Sequence, residues 1–493
     1  IWTQIKFLQL RFPCLEAGLP EGCENLDKVP SPDMAQKFYA ATSMLQPPLE
    51  QLFGELKPNP NCIISDQFLP WTSDVAQKFH IPRLVFHGTC CFSLFLSHNI
   101  RTHMVFDEYK ALEESEYFVV PGLPDRIELT KAQLPASANP SIWGLNNIRE
   151  KIREAEKSRY GTVANTFEEL ESGYVKEYQK ATGNKVWCIG PVSLCNKDKL
   201  DKAERGNESA IDAHHCLNWL DSQQPRTVVY VCLGSLSRQA LSQMIEIGLG
   251  LEASNEAFIW VIRDKVEELE KWNLEDGFEE RTKDRGLLIR GWAPQVLILS
   301  HWAIGGFVTH CGWNSTLEAI CAGVPMTTWP MFGEQFCNEK LIVQVLRIGV
   351  SVGVEVPTRW GEEEKVGVLV HKDNVVKAIG KLMDGGEEGE ERRKRARQLG
   401  EMAKRAMEEG DANPTRIVPF REVCDANAFK IATSLIMTGI ELPDQLAGVE
   451  GAAPLGGSGA APRRGRGAAP PKQNAKMHFK LPVRRQNIVS IQM

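Results

Sequence analysis

Short apolar runs rich in β-branched residues alternate with helical patterns along most of the chain, and this alternation constrains the fold more than any other feature. The runs NCIISD (61–66) and PRLVFHG (82–88) enclose the helical pattern PWTSDVAQKF (70–79). Further on, TVVYVCLGS (227–235) and AFIWVIR (257–263) enclose another helical pattern. Such repetition predicts βαβ units and parallel sheets buried on both faces. The predicted fold class is therefore α/β.

A polar stretch divides the alternation into two parts. Residues 194–212 lack apolar periodicity and follow the run VWCIGPV (186–192), so we interpret them as an inter-domain linker. The predicted domains are residues 1–193 and 213–410. The opening IWTQIKFLQLRF (1–12) reads as a short strand and has none of the parts of a signal peptide.

The end of the chain differs in composition from the rest. Residues 387–409 read as an exposed helix in which acids precede bases, an order that suits the helix dipole. Residues 451–473 are rich in Gly, Ala and Pro, and we expect the region 411–493 to be an atypical, largely disordered tail. The RRGRG piece within it could contact RNA or acidic surfaces, although a tail without function is the alternative that we favour.

Composition excludes several classes of protein. The 493 residues contain no run of about 18 apolar residues, so no integral membrane segment is expected. The net charge of −6 argues against nucleic acid as the main partner. The 13 cysteines include no C-x-x-C pair, which favours buried free thiols in a reducing, cytoplasmic setting over a disulfide framework or a zinc site.

The most informative stretch is WAPQVLILSHWAIGGFVTHCGWNSTLEAICAGVPMTTWPMFGEQ (292–335). FVTHCG reads as a strand that ends in a turn of small residues, after which Trp313 and Asn314 open a helix. Free N–H groups and the helix dipole at such a helix start attract phosphate. The carboxylate of Glu318, one turn further on, could accept hydrogen bonds from a ribose diol. An indole and an amide at Trp292 and Gln295 suit a stacked base, so the combination indicates a nucleoside diphosphate.

This stretch resembles the signature box of the plant family 1 UDP-glycosyltransferases. The similarity rests on W-x-P-Q, H-C-G-W-N-S-x-x-E, G-V-P and a final E-Q, and further similar blocks extend over about residues 4–410. The resemblance implies a GT-B fold, in which two Rossmann-like domains face a cleft. It also implies a donor site that comprises Ser235, Trp292, Gln295, His310, Gly312, Trp313, Asn314, Ser315, Glu318, Glu334 and Gln335.

The same resemblance implies a role for each part of the donor site. Trp292 would stack on the uracil, Gln295 would hold its edge or the ribose, and Glu318 would bind the ribose hydroxyls. The polar groups that would receive the diphosphate are Ser235, His310, Asn314, Ser315 and the Gly312–Trp313 backbone. The groups at the sugar would be Trp313, Glu334 and Gln335. A Gln at position 335 implies glucose, whereas a His there implies galactose.

The expected reaction is inverting transfer of glucose from UDP-glucose to a hydroxyl of a small lipophilic acceptor, such as a flavonoid, terpenoid, hormone or xenobiotic. Preorganised donors would stabilise the charge that develops on the departing diphosphate. We expect no metal ion and no cofactor besides the co-substrate UDP-glucose. We also expect a cytoplasmic monomer whose partners are the UDP-sugar and the acceptor, with no nucleic acid.

The resemblance implies a His–Asp pair in the first domain, in which His is the general base. Asp66, in CIISDQF, corresponds to the Asp, and His87 resembles an acceptor-pocket position. The corresponding His is not in this chain, because its strand is expected upstream of residue 1, and we therefore expect an incomplete N-terminal domain. Two alternatives to an active enzyme remain open: a donor-binding pseudoenzyme, and a protein that binds nucleic acid through its tail.

Overall fold

The description of the fold rests on a computed structural model of the protein. It describes residues 8–103, 111–135, 146–196, 199–203, 205–263, 267–358 and 360–408. The predicted tail, 411–493, lies outside the described residues. The expected strand at 1–12 is wrong where it can be judged, because residues 8–12 form no strand.

The first half of the chain forms a parallel four-stranded sheet and a separate antiparallel hairpin. The sheet has the order β1-β2-β5-β6, and all of its pairs are parallel. The predicted runs at 61–66 and 82–88 become β1 and β2, whereas sequence analysis did not identify the hairpin β3–β4. The six strands are β1 (Ile63–Asp66), β2 (Arg83–His87), β3 (Tyr117–Val119), β4 (Glu128–Thr130), β5 (Gly161–Ala164) and β6 (Lys185–Cys188).

Helices separate these strands, as the alternating pattern predicted. Buried residues of α4, which include Phe92, Phe95 and Leu96, pack in the core beside the sheet. The helices of this half are α1 (Ala35–Ser43), α2 (Gln46–Glu55), α3 (Thr72–Lys78), α4 (Cys91–His103), α5 (Asn146–Lys157) and α6 (Glu168–Thr182).

The second half forms a parallel six-stranded sheet, whose order is β12-β11-β10-β7-β8-β9. All of its pairs are parallel, so the prediction of two α/β units with parallel sheets is confirmed. The strands are β7 (Val228–Cys232), β8 (Ala257–Ile262), β9 (Gly286–Arg290), β10 (Ile304–Thr309), β11 (Met326–Thr328) and β12 (Gly349–Ser351).

Eleven described helices accompany the second sheet and the segment that leads to it. The last of them, α17, has acids in its first turn and bases in its last turn, as predicted, and it packs on α6 of the first half. The helices are α7 (Lys199–Ala203), α8 (Ala213–Asp221), α9 (Leu241–Ala253), α10 (Glu267–Asp276), α11 (Phe278–Thr282), α12 (Gln295–Leu299), α13 (Trp313–Ala322), α14 (Gln335–Lys340), α15 (Glu363–Val366), α16 (Lys372–Met383) and α17 (Glu387–Ala406).

The order of the second sheet reverses direction between β7 and β10. Counted along the chain, the strands follow the order 3-2-1-4-5-6 of the Rossmann fold, with β7 as the first strand and β10 as the fourth. In open parallel sheets, ligands bind beyond the carboxyl ends of the strands at such a reversal. The turns that follow β7 and β10 are therefore the expected ligand site, and they contain Ser235 and His310.

Within the described residues, no helix combines the length and the apolar character that a membrane span requires. The largest cluster of buried apolar side chains contains the second sheet and part of the first half, and two smaller clusters contain other strands of the first sheet. Phe307 is fully buried at the centre of β10, where its ring stacks on Tyr230 with 5.1 Å between ring centroids.

We expect Phe307→Ala to lower the free energy of unfolding of the second half by about 3–5 kcal/mol, because a cavity replaces a buried ring. Urea denaturation followed by tryptophan fluorescence measures the change. The control is Leu274→Ala, since Leu274 is 83% exposed and its loss should change the stability by less than about 0.5 kcal/mol. Equal effects of the two substitutions would contradict this packing.

Candidate donor and acceptor site

The turns after β7 and β10 meet at the imidazole of His310. Gly234, at φ +87°, and Gly312 lie on this ring so closely that a Cβ at either position would come within 2.5 Å of it. Only glycine therefore fits on either side of the imidazole. Among the described residues Nδ1 of His310 has no hydrogen-bond partner, and burial lowers the pKa of His310 to about 4. At neutral pH the ring is an uncharged hydrogen-bonding group beside the strand reversal.

Helix α13 begins at this point, with Gly312 as its N-cap residue. The backbone N–H groups of its first turn have no partners inside the helix and carry the positive end of the dipole. Asn314 is exposed in this first turn, and Ser315 is half-buried. Four of the residues that are predicted to receive the diphosphate thus lie together at a helix N-terminus that suits an anion, namely Gly312, Trp313, Asn314 and Ser315.

Three of the predicted donor residues form one hydrogen-bonded network. Nε2 of Gln295 donates to Oγ of Ser315 (3.0 Å) and to Oε2 of Glu318 (2.8 Å). The buried hydroxyl of Tyr230 donates to Oε1 of Gln295 over 3.4 Å, which orients the amide. Tyr230 was not identified from the sequence, because an apolar strand with one tyrosine carries no signal of a polar site.

Trp313 belongs to the interface between the two halves. Its indole is buried, and Nε1 donates to the backbone carbonyl of Asn165 over 2.7 Å. The backbone of Trp313 remains part of the α13 N-terminus, whereas its side chain contacts the first half of the chain. Asn165 also escaped sequence analysis, although a polar residue directly after a buried strand, as in GTVAN, could have indicated it.

Gln335 is buried at the start of α14. Its Oε1 accepts the backbone N–H groups of Met331 and Phe332 at 2.8 and 3.1 Å. These two bonds fix the orientation of the amide, so the NH₂ group is the donor that remains for a ligand. The neighbouring Glu334 has its pKa raised by burial.

A cavity of about 750 Å³ lies between the two halves, and it brings Asp66, His87 and Glu334 to one space. Many of its walls are apolar, and they include Phe38, Phe86, Leu94, Ile148, Leu236 and Phe332. Asp66 ends β1, and burial raises the pKa of its carboxyl. The other predicted donor residues do not line this cavity.

His87, at the end of β2, is almost fully buried. Its Nε2 lies 3.3 Å from Oε1 of Glu156 on α5. Burial favours the neutral form of Glu156, but the nearby His87, Arg159 and Arg101 lower its pKa to about 2. His87 therefore lies beside a carboxylate at the wall of the cavity. The described residues include no group of His, Cys, Asp or Glu side chains arranged to hold a metal ion.

We expect His310→Asn to flatten the pH dependence of stability below neutral pH. In the folded state the pKa of His310 is about 4, below the unfolded value of about 6.5, so protonation favours unfolding. Stability should fall by about 2 kcal/mol through this one group as the pH is lowered from 6.5 to 4, and it should be retained above 6.5.

Urea denaturation at pH 4.5 and pH 7 measures this difference. His214→Asn is the matched control, because His214 is exposed on α8. Its loss should leave the pH dependence of stability the same as in the parent protein. If the stability of His310→Asn depended on pH as steeply as that of the parent protein, the burial of a neutral imidazole would be disproved.

Comparisons with known proteins agree with this geometry. The sequence model described as UDP-glucoronosyl and UDP-glucosyl transferase matches residues 209–365. UDP-glycosyltransferase 73C11 of Barbarea vulgaris is 52% identical over 422 residues, which cover 85% of this chain and 84% of that protein. UDP-glycosyltransferase 73C3 of Arabidopsis thaliana is 53% identical, and the alignment covers 84% of this chain and 83% of that protein.

Solved structures show the same fold. UGT73P12 of Glycyrrhiza uralensis, complexed with glycyrrhetinic acid 3-O-monoglucuronide, aligns with a TM-score of 0.75 at 37% identity and covers 88% of this chain and 86% of its own. Phytolacca americana UGT2, complexed with UDP-2fluoro-glucose and pterostilbene, aligns with a TM-score of 0.63 at 27% identity. The alignment covers 82% of this chain and 83% of that structure's chain. None of these findings supports a pseudoenzyme. The chain belongs to the plant family 1 UDP-glycosyltransferases of the GT-B fold, enzymes that transfer a sugar from a UDP-sugar to an acceptor.

Proposed function

We propose that the protein transfers glucose from UDP-glucose to a hydroxyl of a small lipophilic acceptor, with inversion at the anomeric carbon. The acceptor class comprises flavonoids, terpenoids, hormones and xenobiotics. The observation that carries the proposal is the shared cavity, since Glu334 of the predicted sugar site and Asp66 of the predicted catalytic pair line the same apolar space. In this proposal the enzyme is a cytoplasmic monomer that needs no metal ion.

The second half of the chain supplies uncharged hydrogen-bonding groups and a helix dipole to the proposed donor site. In the proposed complex the diphosphate lies at the start of α13, beside Ser235 and the imidazole of His310. Negative charge increases on the diphosphate as the bond between C1 of glucose and the β-phosphate oxygen breaks. Donors that are already fixed in place stabilise this charge without reorganisation. The glycines around His310 support this assignment, because they let the turns after β7 and β10 close on its imidazole beside the start of α13.

The cavity between the two halves provides the space for the attacking hydroxyl of the acceptor. The wall of the cavity is largely apolar but also carries polar and charged side chains, and such a combination occurs in sites for small lipophilic ligands. The hydroxyl oxygen forms the new bond to C1 as UDP leaves, and in this chain the carboxylate of Asp66 takes its proton, because the His that Asp66 is expected to support is not among the 493 residues. Two solved relatives support this acceptor class, because one is complexed with pterostilbene and the other with glycyrrhetinic acid 3-O-monoglucuronide.

The direct test incubates the 493-residue protein with UDP-glucose and a panel of flavonoid, terpenoid and hormone acceptors. We expect products that are heavier by one hexose in mass spectrometry, and β-linked glucose in proton NMR. Asp66→Asn should lower kcat by about 10²–10⁴-fold while UDP binding is retained. UDP binding without product from any acceptor would contradict the proposal and favour a donor-binding pseudoenzyme.

We expect Gln335→His to lower the ratio of kcat/KM for UDP-glucose to that for UDP-galactose by at least about tenfold. An imidazole cannot both accept the N–H groups of Met331 and Phe332 and donate to the sugar as the amide does. Steady-state kinetics with both donors measure the ratio.

Gln335→Glu is the matched control for this substitution. It retains an acceptor for the two backbone N–H groups but loses the NH₂ donor, so it should impair both sugars without favouring galactose. A ratio that is unchanged in Gln335→His would show that this residue does not select the sugar.

A further inference from the structure

The linker between the two halves covers residues of the predicted donor site. Helix α7 packs against α12, the helix that Gln295 begins. After it, the backbone N–H of Ala210 donates to the carbonyl of Trp292 over 2.8 Å. The sequence indicated only a polar linker without periodicity, yet this segment lies on the residues that are expected to hold the nucleoside.

Gly206 lies directly on the indole of Trp292. Its backbone has φ +101°, and a Cβ at this position would come within 2.2 Å of Cζ2 of the ring. Any other residue at position 206 would therefore both strain the backbone and displace the indole. The linker thus supports the side chain that is expected to stack on the base.

Arg205 forms an ion pair with Glu318, in which Nη1 and Oε1 are 2.5 Å apart. The side chains are only 14% and 9% exposed, so the pair is largely removed from water. The second oxygen of the carboxylate accepts the amide of Gln295 at 2.8 Å. Glu318 is therefore held on one side by the linker and on the other by the network that extends to Tyr230.

This arrangement fixes a carboxylate without using up its capacity to accept hydrogen bonds. Each carboxylate oxygen can accept more than one hydrogen bond, so both oxygens retain an acceptor position for a ribose hydroxyl. A side chain that is already held in its binding orientation loses less entropy when the ligand binds. Removal of Arg205 would leave a buried carboxylate without its cation, and its orientation would no longer be fixed.

We propose that Arg205 and Gly206 are part of the donor site, where Arg205 is a positioning residue that holds Glu318 for the ribose hydroxyls and Gly206 supports the indole of Trp292. The proposal rests on the proposed function, in which Glu318 binds the ribose. Neither residue lies within the stretch that the family sequence model matches, which begins at residue 209. The alternative is that Arg205 competes with the ribose for Glu318, in which case removal of Arg205 would strengthen the binding of UDP.

The test compares the binding of UDP with that of 2′,3′-dideoxy-UDP, which lacks both ribose hydroxyls. In isothermal titration calorimetry, Arg205→Met should weaken UDP binding at least about tenfold. It should change the binding of 2′,3′-dideoxy-UDP by less than about twofold, because Arg205 acts through Glu318 on the hydroxyls alone. In kinetics, KM for the UDP-sugar should increase more than kcat decreases.

The matched control is Lys202→Met, which removes the same charge from α7 three residues away and should leave both affinities unchanged. Arg205→Lys retains the cation and should give an intermediate loss for UDP, so it keeps the proposal testable if Arg205→Met folds poorly. Tighter or unchanged UDP binding by Arg205→Met would overturn the proposal. An equal loss for both ligands would show a merely structural role and would overturn it too.

Glu318→Gln separates this inference from the proposed function. If this variant loses the preference for UDP over 2′,3′-dideoxy-UDP while Arg205→Met retains it, the ribose site stands and only the role of Arg205 is wrong. If Glu318→Gln retains the preference, the proposed donor site itself is wrong.

Discussion

Asn165 joins the two halves of the molecule, and the geometry of the donor site depends on it. Its backbone carbonyl accepts the indole N–H of Trp313, while its side chain donates to Asn314 over 3.2 Å and accepts the backbone N–H of Val192 over 3.1 Å. One buried residue at the end of β5 therefore contacts the start of α13 and the start of the segment between the halves. Because buried polar groups without partners are costly, the two bonds to Trp313 and Asn314 favour one relative orientation of the two sheets.

The chemistry at the strand reversal relies on neutral groups rather than on cations. The imidazole of His310 is uncharged at neutral pH because burial opposes its protonation, and the helix N-terminus contributes only partial charge. Such groups stabilise a diphosphate most strongly where water is excluded and where they are fixed beforehand. The two glycines around the ring provide this fixation, because they allow the turns to close on it without a side chain between them.

The cavity between the halves combines a largely apolar wall with acids that are half-buried. Burial raises the pKa of both Asp66 and Glu334, so each of these carboxyls is closer to protonation than an exposed one. Apolar side chains provide most of the wall of this space, and buried apolar surface favours the binding of apolar molecules. Asp66 and Glu334 are among the polar groups that line the same cavity.

The α/β class, the two parallel sheets and most strand positions could be predicted from the sequence, because strands and helices differ in the local periodicity of their apolar residues. The donor signature was also visible, since its polar residues follow one another within the single stretch 292–335. Tertiary structure alone decided the partners of Arg205, Asn165 and Trp313, whose contacts join residues more than 100 positions apart. A linker without periodicity carries no local signal of what it will cover, and only the folding of the two sheets against each other brings it to the donor site.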